Sequence, residues 1–228
     1  MKQIRILVPT DGPETWKQFL AEPDKQWKPG YSAMSLAYSW ENAKEIPTEV
    51  HALFKEANDT ALHDVSLAIA IPEYKVSLAG GTSPSQNDLF ALLTYTGGLI
   101  SMMVEGKARE DFDVTLGDWK KRTSAKGVKA RMADIMDHIG LNKPIPDNIR
   151  YQLLHRTASA VIEAKRFHAL YAVVLIQSFV NDDAENHFED FCNFINLFNE
   201  KPIKNKLIEI SKPYEKQLFA AWVQSKST

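Results

Sequence analysis

Asp88, Glu105 and Lys107 are the residues whose types and spacing could do chemistry together. Within Gly80 to Trp119, Asp88 heads one expected strand, and Glu105 and Lys107 end the next. Residues two apart in a strand point to one face. Glu105 and Lys107 therefore project together, after an apolar segment of Leu99, Ile100, Met102, Met103 and Val104. With Asp88 on the neighbouring strand, two carboxylates and one ammonium meet at one sheet end. Mg²⁺ takes hard oxygen ligands and keeps several waters, so two carboxylates suffice to hold it. A compact ammonium beside them suits charge building up on a phosphate.

The acid–x–Lys pattern also occurs at Glu73–Lys75, Asp118–Lys120 and Glu163–Lys165. Glu163 falls in an expected helix, where i and i+2 do not share a face, and Asp118 lies beside a helix entry. Glu73 and Lys75 would share a strand face, so that pair stays open beside Glu105–Lys107.

The elements that must position these groups follow from hydrophobic period and breakers. Gln3 to Val8 reads as a short strand. Asp11, Pro13 and Glu14 give the signature of a helix start, with the helix running to about Ala21. Ser32 to Lys44 has helical spacing in Ala33, Leu36, Ala37 and Trp40, and Pro47 and Thr48 open another helix with Val50, Leu53, Phe54 and Ala57 inward. Val65 to Ile71 and Tyr74 to Leu78 read as strand, interrupted or not at Pro72. Asp88 to Thr94 and Leu99 to Lys107 complete a meander turning at Gly97–Gly98. Asp113 to Met136 is expected to be mostly helical and is basic at Lys120, Lys121, Arg122, Lys126, Lys129 and Arg131. Asn148 to Arg166 reads as a helix feeding a buried strand, Tyr171 to Phe179, parallel to the meander. Asp182 or Asp183 would cap a helix containing Phe188, Phe191, Cys192, Ile195 and Phe198. A strand at Lys206 to Ile210 and a last helix with Phe219 and Trp222 inward would follow.

The order helix, three strands, helix, strand resembles the core of the PD-(D/E)XK, or restriction-endonuclease-like, superfamily. Trp27 to Phe179 also resembles an uncharacterised bacterial domain family through WKPGYSA (Trp27 to Ala33), SQNDLF (Ser85 to Phe90), VEGKAREDF (Val104 to Phe112), RYQLLHRTASA (Arg150 to Ala160) and QSF (Gln177 to Phe179). The resemblance implies a mixed α/β (α+β) fold with a central mixed sheet of αβββαβ order and extra terminal helices. Residues 1–228 would form one domain: an N-terminal strand and helices over 1–47, a nuclease-like core over 48–180 and a helical extension over 181–228. It implies Mg²⁺ or Mn²⁺ held by Asp88 and Glu105, joined by Glu49 from the first core helix. Lys107 would hold a water or offset phosphorane charge, and Gln152 would orient Lys107 or a metal water. Arg156, four residues on and on the same helix face, would contact a phosphate, while Lys120, Lys121, Arg122 and Lys126 would grip a DNA backbone through counterion release. Asn87 stands where that superfamily usually has proline before the acid.

The implied activity is a Mg²⁺-dependent phosphodiesterase acting on DNA in bacterial defence or repair. The alternative is a nuclease-like scaffold without catalysis, in which the same charges form an ordinary cluster and the protein binds or regulates. Composition fits both: 228 residues, 44% hydrophobic and 25% charged, with a formal charge of −2 that exerts no global pull on nucleic acid. One cysteine permits no internal disulfide and scattered histidines give no zinc spacing. A signal peptide and a membrane span are not expected, which makes the cytoplasm the expected location. A homodimer is left open, no G-x-x-x-x-G-K phosphate loop is present, and His155 and the five tryptophans read as packing residues.

Overall fold

The computed structural model describes residues 10–179 and 185–226. The expected strand at Gln3 to Val8 and the caps at Asp182 or Asp183 lie outside the described residues. The helices of the first third are α1 (Pro23–Gln26), α2 (Ser32–Asn42) and α3 (Thr48–Lys55), preceded by a 3₁₀ turn over Pro13–Phe19. The expected helix from Asp11 is only this 3₁₀ turn: Gly12 takes the cap position and no side chain caps it, leaving the first backbone N–H groups without the acceptor a longer helix needs.

The meander consists of β1 (Ser66–Val76), β2 (Ser85–Tyr95) and β3 (Gly98–Lys107), consecutive and antiparallel. β1 is continuous through Pro72, which an edge strand tolerates because the missing N–H can face away from the ladder. The basic stretch is two helices, α4 (Leu116–Arg122) and α5 (Ala125–Ile139), not one. Ser124 breaks it by capping Gly127 N–H, as Thr115 caps α4 through Asp118 N–H. Then come α6 (Tyr151–Arg166), β4 (Tyr171–Ser178), α7 (Glu185–Asn196), β5 (Leu207–Ser211) and β6 (Gln217–Gln224).

Among the described residues six strands form one mixed sheet in the order β1-β2-β3-β4-β6-β5. β4 runs parallel to β3 and β6 parallel to β4, while β5 closes the edge antiparallel. The helical extension expected over 181–228 is therefore corrected: among the described residues there, α7 is the one α-helix, with a 3₁₀ turn over Pro213–Glu215, and the expected last helix is the strand β6. Leu218, Ala220 and Trp222 join one core cluster, and Phe219, Ala221 and Val223 join the other. A strand buried on both faces is apolar throughout, and such a run has no period that separates it from a buried helix.

Helices cover both faces. α5, α6 and α7 pack Ile135, Leu154, Val161 and Phe194 on one side, over Phe90, Met103 and Val174. α2 and α3 pack Leu36, Trp40, Leu53 and Phe54 on the other, over Leu89, Met102, Val104 and Leu175. Among the described residues no helix is long and apolar enough to cross a membrane.

Candidate active site

The strand register builds the site. Pro72 pairs with Leu89 and Tyr74 with Asn87, which sets Glu73 against Asp88. One step beyond the Leu89–Val104 pair, Asp88 comes against Glu105. Three carboxylates thus stand in one row across three strands. Like charges directly opposite destabilise a sheet, so the row needs compensation. Glu73 adds backbone strain, with φ of 53° in the left-handed region that non-glycine residues avoid. That conformation interrupts the alternation of β1, so that Tyr74 stacks on Phe90 at 4.8 Å while Glu73 lines the cavity beside Asp88.

Compensation comes from α6 and from β3 itself. Lys107 Nζ lies 3.1 Å from Glu105 Oε1 and donates to Gln152 Oε1 at 3.1 Å. Gln152 Nε2 donates to Glu105 Oε1 at 2.7 Å. Arg156 Nε donates to Glu105 Oε2 at 2.6 Å, and its far nitrogen lies 3.7 Å from Asp88 Oδ1. Asp88 Oδ2 accepts the Gly106 backbone N–H at 2.9 Å. Gln86 donates to Glu73 at 2.5 Å. Arg156 also reaches Ser85 Oγ at 3.4 Å, and Ser85 bonds His155 at 2.8 Å. His155 is thereby a positioned neighbour of the cluster, its pKa depressed by burial and by Arg156.

The electrostatics follow from burial and from the carboxylate row. Burial raises the Glu105 pKa, but Arg156 and Lys107 more than offset it and leave it below the ordinary value. Burial and then the Glu105 charge push Asp88 well above the usual carboxylate range. Burial raises Glu73 to about 7, against the hydrogen bond from Gln86. One fully ionised carboxylate held by two cations therefore sits beside two that resist ionisation.

These groups open into a cavity of about 480 Å³. Glu73, Asp88, Glu105, Lys107, Gln152 and Arg156 form its polar side, and Trp16, Leu20, Lys25, Trp27 and Tyr31 its opposite wall. Glu110 also lines the cavity and caps α2, its Oε1 accepting Ser32 N–H at 2.9 Å and Ser32 Oγ–H at 3.1 Å. The WKPGYSA and VEGKAREDF segments meet at that contact.

Asp88, Glu105, Lys107, Gln152 and Arg156 are thus brought together. Glu73 joins them without Lys75, which is exposed and off the cavity, so the acid–x–Lys pair of the site is Glu105–Lys107. Glu49 does not line the cavity, since α3 packs towards β6. Lys120, Lys121, Arg122 and Lys126 do not line it either: Lys120 pairs with Asp147 at 2.6 Å and Lys121 with Asp118 at 2.8 Å. Glu163 is buried in α6, accepting from Tyr74 and pairing with Arg166. From the sequence Glu110 is a nearby acid without an assignable role; its contact with α2, the aromatic wall, and Glu73 as a partner of Asp88 are seen only in the structure. The wall's only signal was the WKPGYSA segment, because its approach to the sheet is non-local.

Among the described residues no three His, Cys, Asp or Glu side chains are arranged to hold a metal by themselves. No curated protein and no solved structure matches the chain. A family model does match, over residues 9–227, and the chain belongs to that family, described as Domain of unknown function (DUF6946).

Proposed function

We propose that the protein is a Mg²⁺-dependent phosphodiesterase of the restriction-endonuclease-like type, acting on DNA in bacterial defence or repair. The supporting observation is the convergence of Asp88, Glu105, Lys107 and Gln152 on one cavity at the end of β2 and β3. The order α3, β1 to β3, α6, β4 supports the same reading.

The donor set fits a hard divalent cation. Around the cavity four carboxylates (Glu73, Asp88, Glu105, Glu110) face three cations (Lys25, Lys107, Arg156). Burial first, and the neighbouring Glu105 charge after it, raise Glu73 and Asp88, and a bound cation would relieve the second of these causes. Asp88 and Glu105 would hold the ion. When bound, Mg²⁺ polarises the scissile phosphate and lowers the pKa of a water.

The chain's own groups supply the rest. Lys107, fixed between Glu105 and Gln152, places its ammonium where phosphate charge develops. Gln152 locks that pair by donating to one member and accepting from the other. Arg156 holds Glu105 in its ionised form and neutralises the Asp88 side of the row.

A second reading, the non-catalytic scaffold, draws support from Arg156, whose guanidinium already bridges Asp88 and Glu105 as a built-in counterion. Calorimetric titration with Mn²⁺ separates the two, since a scaffold shows no binding that depends on the carboxylates. For the catalytic reading, plasmid, linear and single-stranded DNA are incubated with Mg²⁺ or Mn²⁺. Glu105→Ala and Lys107→Ala should each lower cleavage by about 10²–10³-fold, the scale of losing a preorganised electrostatic group. Undiminished cleavage in both variants removes the assigned mechanism.

A further inference from the structure

The side chains that would act on a phosphate lie deep behind a wall. Glu105 and Lys107 have only 3% and 6% of their side-chain surface exposed, and Arg156 8%. Asp88 is the most open at 25%. Facing them, the segment from the 3₁₀ turn through the start of α2 contributes Trp16, Leu20, Lys25, Trp27 and Tyr31. Trp16 ties this wall to the end of α2 by donating to Glu41 at 2.9 Å, and Glu110, two residues beyond Ala108 in the segment that leaves β3, ties the start of α2 to the site by accepting from Ser32.

A cavity of about 480 Å³ lies within the range of about 300–1,000 Å³ typical of sites that enclose a small ligand. A duplex is a rigid rod whose phosphates lie along the rims of its grooves, about 12 and 6 Å wide. Side chains this buried are poorly placed to meet a phosphate on the rim of a groove while both strands stay paired. An unpaired strand is thin and flexible enough to bring one to them.

The wall also carries a platform for a base. Trp16 and Trp40 are buried, at 4% and 3% exposure, and Trp119 stacks on Tyr151. Trp27 is half-exposed, packs in part against the apolar cluster on the α2 side of the sheet, and stacks on no other ring among the described residues. Its indole N–H is tethered to Glu14 Oε2 at 3.1 Å, so the ring is held at its edge. Tyr31 lines the same cavity, half-exposed, with Lys28 Nζ 5.8 Å from its ring centroid, and Lys25, exposed apart from its pair with Glu22, supplies a further cation at the same wall. Aromatic faces with a nearby cation bind unpaired bases with little sequence preference.

We infer that the cavity admits an unpaired nucleic-acid strand, one nucleotide at a time, with Trp27 and Tyr31 stacking a base while its phosphodiester reaches Asp88, Glu105 and Lys107. This rests on the phosphodiesterase reading for the reaction but not for the binding.

The test therefore has two readouts. Binding of a fluorescent single-stranded oligonucleotide is followed by anisotropy with Ca²⁺ in place of Mg²⁺, against a blunt duplex of equal length. Single strand should bind at least about tenfold tighter, and Trp27→Ala should remove about tenfold of that affinity, the scale of one lost base–aromatic stack. Trp27→Phe should restore most of it, which a folding defect would not. Cleavage is then compared on single strand, blunt duplex and a duplex with an unpaired tail. Cutting should be confined to unpaired segments. Equal cleavage of closed duplex, or no effect of Trp27→Ala on strand binding, overturns the inference and leaves the phosphodiesterase reading standing. Trp27-dependent strand binding with no cleavage of any substrate upholds the inference and counts against that reading. A dinucleoside monophosphate cleaved as fast as the oligonucleotide assigns the cavity to small free diesters and overturns the strand proposal.

Discussion

Two ion pairs of this molecule share a separation of 2.6 Å and differ in almost everything else. Lys120 meets Asp147 at the surface, with 35% and 69% of the side chains exposed. Arg156 meets Glu105 with 8% and 3% exposed. At the surface, water solvates both charges as well as their partner does, and salt screens the attraction. Under the wall, neither charge has an alternative, so loss of one strands the other. The same chemistry is a solvated helix face in one place and a high-stakes network in the other.

The largest expected effect breaks the buried pair. Arg156→Met leaves Glu105 and Asp88 without their main compensation and should destabilise the fold by about 3–5 kcal/mol, measured by urea unfolding. Glu105→Gln combined with Arg156→Met should lose less than the two single losses together, because in the double variant neither of these two charges is left without the other. In 1 M salt the Arg156 effect should persist.

Glu73 gives the next effect, with a pH sign. The folded protein holds this carboxyl at about 7, whereas its ordinary value is 4.5. Between those values the folded state keeps a proton that the unfolded chain releases. Glu73 therefore lowers stability as pH rises through the window, by about 3 kcal/mol at completion. Glu73→Gln keeps an acceptor for Gln86 and should gain that amount at pH 8 while changing little at pH 4. Paired urea melts at the two pH values check it. Asp88 shifts in the same direction, so part of the pH dependence should survive the substitution.

A buried neutral contact should fall below both. Trp40 Nε1–H donates to Gln177 Oε1 at 2.9 Å across the α2–β4 interface. Trp40→Phe leaves that oxygen without its donor and should cost about 1–2 kcal/mol in the same melts. The smallest effect belongs to the surface pair: Lys120→Ala should change stability by no more than about 1 kcal/mol, and 1 M salt should abolish the difference. A large loss there would sink the contrast on which the ordering rests.

The first five strands and α2, α3 and α6 were legible in sequence because each carries a clean period or a clean breaker, such as Gly97–Gly98 between β2 and β3. The site was legible to the extent that it is local. Glu105 and Lys107 share a strand face by spacing alone, and Gln152 and Arg156 a helix face. Glu49 was misplaced because it was carried over from element order, which says which helix comes first and not which one approaches the sheet end. The last helix was misread because LFAAWV is apolar on both sides.

Local spacing, turn chemistry and the apolar runs were set by the chain itself, since periods of two and 3.6 act over a few residues. Tertiary structure alone decided the row Glu73–Asp88–Glu105, the bridging of two of those carboxylates by Arg156 and the wall of Trp27 and Tyr31 facing them. Each depends on strand register or on docking of segments about 20 to 80 residues apart. There, burial and not residue type sets how strongly a charge is felt.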